Sequence, residues 1–237
     1  MKKALVIGGS GSLGKAIVKE LKNKSFQIIS IDINENKEAN YNIIINKQHN
    51  LSYQYHSIRN NINNYLSGHL FQGVFCAAGG WMGGKIGDEN FLNILEKMNF
   101  MNLETAALSS NLAINYLENN GTLILTGAQA ALHPCPNMIS YGISKSSTHY
   151  LIASIIKDED FIKKSCRAYG ILPSTIDTPA NRAAMPDAHH LGWTKPEEIS
   201  RKCVHLLEDH HTHPANGSLL SVITNEQGNS HWTATYP

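Results

Sequence analysis

Charge is sparse in this chain of 237 residues: 16% of them are charged, the formal net charge is +1, and no stretch is densely packed with lysine or arginine. A nucleic acid or an anionic membrane surface is gripped by concentrated positive charge, so neither is expected as a partner. Long apolar runs are also missing. Stretches such as residues 4–7 fall far short of the roughly 20 residues that cross a bilayer. The N-terminus passes from Met1-Lys2-Lys3 straight into a strand pattern and a glycine loop, with nothing that reads as a cleavable signal. Cysteine is thin and scattered: Cys76, Cys135, Cys166 and Cys203 form no CxxC pair. Reduced thiols in a cytoplasmic protein are the expectation. No repeat, low-complexity tract or linker divides residues 1–237, which therefore read as a single domain.

What is present is an apolar share of 42%, enough to bury a core, and a recognisable opening. Residues 3–7 read as a short buried strand, followed by Gly8-Gly9-Ser10-Gly11-Ser12-Leu13-Gly14 and by Leu13, Ile17 and Leu21 at helical spacing. Strand, glycine loop and helix in that order form the setting in which GxGxxG binds a dinucleotide. Gly9 and Gly11 allow the turn and the approach of backbone to pyrophosphate, and Gly14 lets helix pack on strand. The segment from Gly9 through Ser10, Gly11, Ser12 and Leu13 to Gly14 thus presents the N–H groups of a helix N-terminus to the phosphates. A second strand over residues 27–31 ends at Asp32, 18 residues past Gly14. A carboxylate there accepts both ribose hydroxyls and repels a 2′-phosphate, which favours NADH and leaves NADPH as the weaker cofactor. Lys37, if it folds back, softens that preference.

Further along, residues 42–45 suggest a third strand, residues 46–70 a helix, and residues 73–77 a fourth strand. The small residues Ala78 and Gly79 follow, where close approach by a cofactor suits the carboxyl end of a strand. Trp81, between paired glycines, is placed to stack on a flat heterocycle or to fold back over the core. A long helix is expected over residues 91–117, closed by Gly121, then a strand over residues 122–126. A strand over residues 167–172 ends at Pro173, and a loop carries Thr178, Asn181, Arg182, Met185 and Pro186. Thr194 with Glu197 three residues on predicts a capping box, and residues 217–224 give a last strand. This alternation predicts an α/β fold: one Rossmann-like, doubly wound parallel sheet of about seven strands with helices on both faces.

Tyr141 and Lys145 stand four residues apart, on one face of a helix. An ammonium beside a phenol is expected to lower the tyrosine pKa and make it a usable proton donor. Alone, such a pair is commonly an ordinary surface contact.

Taken with GGSGSLG at 8–14, Asp32, AAGGWMGG at 77–84, GAQAAL at 127–132 and LPSTIDTPANRAAMP at 172–186, the pair makes the chain resemble the short-chain dehydrogenase/reductase family over almost its full length. Within that family it is similar to the branch that reduces quinonoid dihydropterins. The resemblance implies an NADH-dependent reductase and a cytoplasmic homodimer. It implies that Tyr141 and Lys145 are catalytic, with Lys145 also on the nicotinamide ribose. Ala78 and Gly79 would lie near the ribose, Pro173 and Thr178 near the carboxamide, and Trp81, Tyr141 and Met185 around a pterin substrate. Asn102 falls where the family has an asparagine behind the lysine, or is a plain polar residue of the helix. Two departures stand out. Ser12 occupies a glycine position, and Ala128 stands where most members carry a serine that polarises a carbonyl. The second argues against a general carbonyl reductase, because that donor is worth a few kcal/mol in the transition state. Reduction of another small carbonyl or imine, and a non-catalytic NADH-binding redox sensor, remain open. Adjacent histidines at 210, 211 and 213, like His189-His190, suit a solvated loop better than a metal site.

Overall fold

A computed structural model describes residues 2–46, 48–208 and 213–236. They form eight strands in one sheet, where about seven were expected. In chain order these are β1 (Lys3–Ile7), β2 (Gln27–Asp32), β3 (Tyr41–Ile44), β4 (Phe71–Cys76), β5 (Leu117–Thr126), β6 (Arg167–Pro173), β7 (Leu219–Thr224) and β8 (Ser230–Thr235). Their order across the sheet is β3-β2-β1-β4-β5-β6-β7-β8. The first seven run parallel, and β8 returns antiparallel to β7. The extra strand is the tail, which turns back at Asn225 and Gly228; its exposed, polar side chains gave no apolar alternation to announce it.

Period-two alternation divides the core between the two faces. Leu5 and Ile7 of β1 pack with α2 (Leu51–Leu66), α4 (Thr105–Tyr116) and α5 (Ile139–Ile155). Ala4 and Val6 pack with α1 (Ser12–Asn23) and α8 (Pro196–Glu208). The helix expected within residues 46–70 is α2, started by Asn50, whose side chain accepts the N–H of Tyr53.

Three expectations need correction. The long helix is continuous but not uniform: α3 (Phe91–Met98) and α4 are joined by a π-helical stretch, Asn99–Glu104. Gly121 does not close it, because α4 passes directly into β5 at Leu117. Pairing jumps from Phe71↔Leu117 to Gly73↔Thr122, so the polar residues 118–121 loop out of register. Nor does Thr194 cap α8. Its hydroxyl is buried against that of Thr224 at 2.8 Å, which ties the segment before the helix to β7.

Candidate active site

The site lies at the carboxyl ends of β1, β2, β4, β5 and β6, where an open α/β sheet receives its ligand. The glycine loop comes first. Its left-handed turn falls on Gly8 (φ 80), one residue ahead of the motif. Gly14 sits so close beneath it that a Cβ there would stand 2.0 Å from the Gly8 carbonyl. No side chain caps α1, so the N–H groups of its first turn are left for an anion. Asp32 is oriented toward this loop. Its carboxylate accepts the N–H of Ser10 at 2.9 Å and that of Asn34 at 3.1 Å. Ser10 in turn donates to Asn34 O at 2.6 Å. Asn36, buried and unremarked in the sequence, donates to Gly9 O at 2.7 Å and fastens the β2–β3 loop to the glycine loop. Lys37 is exposed. An uncapped helix start, close-packed glycines and an oriented carboxylate together fit a dinucleotide.

Tyr141 and Lys145 lie on α5, whose buried face is polar in its first half, with Ser140, Ser144, Lys145, Thr148 and His149, and apolar only from Ile152. Of that face, Ser144 and Lys145 meet the wall of the site, at Asn102 and Gly79. Lys145 Nζ donates to the carbonyl of Thr126 at 2.8 Å. Burial pushes its ammonium down to about 8, so at neutral pH it still carries its proton. The expected lowering of the phenol is not found: burial, aided by the nearby Cys135, pushes Tyr141 up to about 12. At rest Tyr141 is therefore a protonated phenol, as a donor must be, and desolvation rather than the ammonium sets its pKa.

Asn102 is no plain helix residue. It is 1% exposed and sits in the π-helical stretch, whose wider turn is common at functional sites. Its Oδ1 accepts the N–H of Gly80 at 3.0 Å, and its Nδ2 donates to Gly80 O at 3.1 Å and to Ser144 Oγ at 3.0 Å. Ser144 Oγ donates to Tyr141 O at 2.9 Å. Ser144 was missed in the sequence because it is not at the family's serine position; its contribution is to join Asn102 to the helix turn that carries Tyr141. Gly79 completes the wall. A Cβ there would stand 2.7 Å from Asn102 Oδ1 and 3.2 Å from Lys145 Nζ, so the small residue expected after β4 is demanded by these two groups. Ala78 precedes it, with its N–H on Ile7 O at 3.1 Å.

These features coincide with a match of residues 2–189 to the short chain dehydrogenase family. The chain belongs to that family. A relative described as dihydropteridine reductase, from Dictyostelium discoideum, is 36% identical over 233 residues, covering 98% of each chain. Solved structures share the fold at lower identity. A short-chain dehydrogenase/reductase from Serratia marcescens superposes with a TM-score of 0.77 at 21% identity, covering 93% of this chain and 95% of that one. The aldohexose dehydrogenase of Thermoplasma acidophilum does so with a TM-score of 0.77 at 21% identity, covering 93% and 91%. Membership makes this short-chain dehydrogenase an oxidoreductase that uses a nicotinamide cofactor.

The outer part of the site is built from loops. Trp81 is 43% exposed, with its indole N–H on Met138 Sδ at 3.5 Å, so it is not folded over the core. A bridge between Gly84 and Met138 holds its loop against the segment leading into α5. Across the cleft, Pro173 ends β6. Thr178 caps α7 (Pro179–Ala184) by accepting the N–H of Asn181 at 3.1 Å, which leaves its hydroxyl proton for another acceptor. Met185 follows α7, and its carbonyl lies 3.2 Å from His190 Nε2. Arg182 and Asp177 pair across the same loop. Ala128 is buried at the end of β5 and offers no hydroxyl.

The other candidates stay outside the site. His190 packs on Trp193, ring centroids 4.4 Å apart. His213 bonds Arg167 at 2.6 Å, while His210 and His211 lie outside the described residues. Among the described residues no group of three His, Cys, Asp or Glu is arranged to hold a metal, the four cysteines are unpaired, and no helix is long and apolar enough to cross a membrane.

Proposed function

We propose that the chain is an NADH-dependent reductase of quinonoid dihydropterins, returning them to the tetrahydro form. The observation that carries this reading is Ala128, which by the family resemblance takes the place of the carbonyl-polarising serine; it is buried, with its N–H turned to His149 at 3.4 Å. A ketone or aldehyde needs such a donor as charge builds on its oxygen. A quinonoid pterin needs it less, because it is already electrophilic and regains aromaticity on reduction. The relative named dihydropteridine reductase, 36% identical over nearly the whole chain, supports the same substrate class.

Bound NADH supplies the hydride. In this reading the first turn of α1 and the loop from Gly9 to Gly14 hold the pyrophosphate, and Asp32 holds the adenosine ribose and disfavours NADPH. Lys145 holds the nicotinamide ribose, with Ala78 and Gly79 packed beside it, and Pro173 and Thr178 meet the carboxamide. Tyr141, its phenol protonated, anchors the pterin or delivers a proton to it. Trp81 and Met185 flank the flat ring and exclude water. The protein works as a cytoplasmic homodimer. What supports a second copy is apolar surface beside α5: an open groove of about 970 Å³ lined among others by Leu103, Leu132, Ile139, Ile143 and Tyr150.

The test follows NADH oxidation with freshly generated quinonoid dihydropterin beside a panel of aldehydes and ketones. Turnover of the pterin alone is the expected result. Turnover of carbonyls without the pterin overturns the substrate, and NADH binding without any turnover overturns the catalytic reading in favour of a redox sensor.

A further inference from the structure

Helix α5 carries a third polar side chain in line with its pair. His149 lies one turn past Lys145 and two past Tyr141, on the same buried face. It is 8% exposed, and a buried imidazole nitrogen needs a partner. Its Nε2 accepts the backbone N–H of Ala128 at 3.4 Å. A backbone N–H can only donate, so Nε2 is bare and the ring proton resides on Nδ1.

The ring also fills space that the neighbouring residue leaves empty. A Cβ on Gly127 would stand 2.5 Å from His149 Nε2 and 2.8 Å from its Cδ2. Just before Gly127, the Thr126 carbonyl receives Lys145 Nζ at 2.8 Å, and the Thr126 hydroxyl donates to Cys76 O at 2.8 Å. Two residues one helical turn apart thus grip the end of β5 at adjacent points: Lys145 through a carbonyl, His149 through an N–H. If His149 were protonated, both its nitrogens would be donors, the Ala128 N–H would lose its acceptor, and a second cation would be buried beside the first.

The surroundings keep the ring neutral. Burial and the Lys145 ammonium lower His149 to about 4. From β4, Cys76 acts on Lys145, and burial keeps that thiol raised and neutral. Cys135 acts on Tyr141, not on the imidazole. Among the described residues no carboxylate contributes to the His149 shift.

We propose that His149 is a positioning residue. As a neutral imidazole it holds the Thr126–Ala128 turn in place, and through the Thr126 carbonyl it fixes the Lys145 ammonium at the end of β5, one helical turn from Tyr141. Its effect on turnover rests on the reductase reading above; its tautomer and its steric coupling to Gly127 do not.

The experiment therefore has two arms. In the cofactor-free protein, nitrogen NMR of the histidines is expected to show His149 with Nδ1 protonated and Nε2 bare through neutral and mildly acidic pH. Gly127→Ala is expected to lower the Tm more in the wild-type background than beside His149→Ala. An Nε2-protonated ring, or equal losses in the two backgrounds, overturns the proposal whatever the substrate is. In the second arm, His149→Leu is expected to reduce kcat about ten- to a hundred-fold by misplacing Lys145, and to weaken NADH binding with it, since the same ammonium holds the nicotinamide ribose. The alkaline limb of its pH profile is expected to move to lower pH, and His149→Gln, which keeps an acceptor, to restore most of the loss. If His149→Leu lowers only the Tm, with kcat and the pH limb unmoved, the histidine is a packing residue and the proposal fails. A wild-type protein that does not turn over the pterin, with the first arm as expected, overturns the substrate reading alone.

Discussion

Lys145 is joined to Thr126 by a 2.8 Å bond from its ammonium to the strand's last carbonyl. Helix α5 and strand β5 are thereby locked at the point where the site needs both. The bond also explains why a lysine tolerates burial here: its charge is desolvated but not left without an acceptor. The consequence is a lysine that loses its proton near pH 8, within reach of an ordinary activity profile.

Turnover should accordingly fall on the alkaline side with a midpoint near 8, because the cation is lost as pH rises through that value. Lys145→Met should remove this limb together with most of the activity. Tyr141→Phe should lower kcat by about 10²–10⁴, the range of a lost proton donor, while leaving NADH affinity nearly unchanged. An effect of Tyr141→Phe on NADH binding alone would contradict its role as donor.

Asn102 should matter through position. Asn102→Ala removes the acceptor for Gly80 N–H and the donor to Ser144, and leaving those buried groups without partners costs about 1–3 kcal/mol. The expected result is a loss of stability together with a lower kcat. Ser144→Ala should show the kcat effect more weakly, since Gly80 keeps both of its bonds. Denaturant unfolding and steady-state kinetics on the two variants separate the contributions.

Asp32→Ala should weaken NADH binding by about tenfold, as expected for loss of a charge-assisted hydrogen bond to ribose. It should also narrow the gap between NADH and NADPH, because the carboxylate that repels a 2′-phosphate is gone. Titrating both cofactors by the quenching of tryptophan fluorescence measures this directly. An unchanged ratio of affinities would move the source of discrimination elsewhere in the β2–β3 loop.

Acid stability should report on His149. Its folded pKa is about 4, against 6.5 ordinarily. Between those values the unfolded chain binds a proton that the folded chain does not, so stability is lost as pH falls through this window. The full effect is up to about 3 kcal/mol by proton linkage. Urea midpoints measured across the window should decline less steeply for His149→Leu than for the wild type; parallel declines would mean that other groups dominate.

Much of the site was legible in the sequence because it rests on local rules. The glycine loop is shaped by backbone geometry, which needs small residues at fixed spacing. Asp32 falls at a strand end, and Tyr141 and Lys145 share a helix face by the 3.6-residue period alone. The alternation of apolar strands and amphipathic helices required a parallel sheet covered on both faces. Beyond these, contacts between distant segments decided the outcome. Nothing local marks Ser144 as the partner of Asn102, 42 residues away, or His149 as the acceptor for Ala128, 21 residues away. Thr194 bore the local signature of a helix cap, yet its hydroxyl went to Thr224 once packing brought β7 beside it. The Tyr141 pKa depends on how much water the folded chain removes from the phenol, a quantity that no spacing of residues encodes. Sequence by itself determined which groups this protein brings to its site, because motifs are written in local geometry; the tertiary structure alone decided their partners and protonation states, because burial and long-range contact exist only in the folded chain.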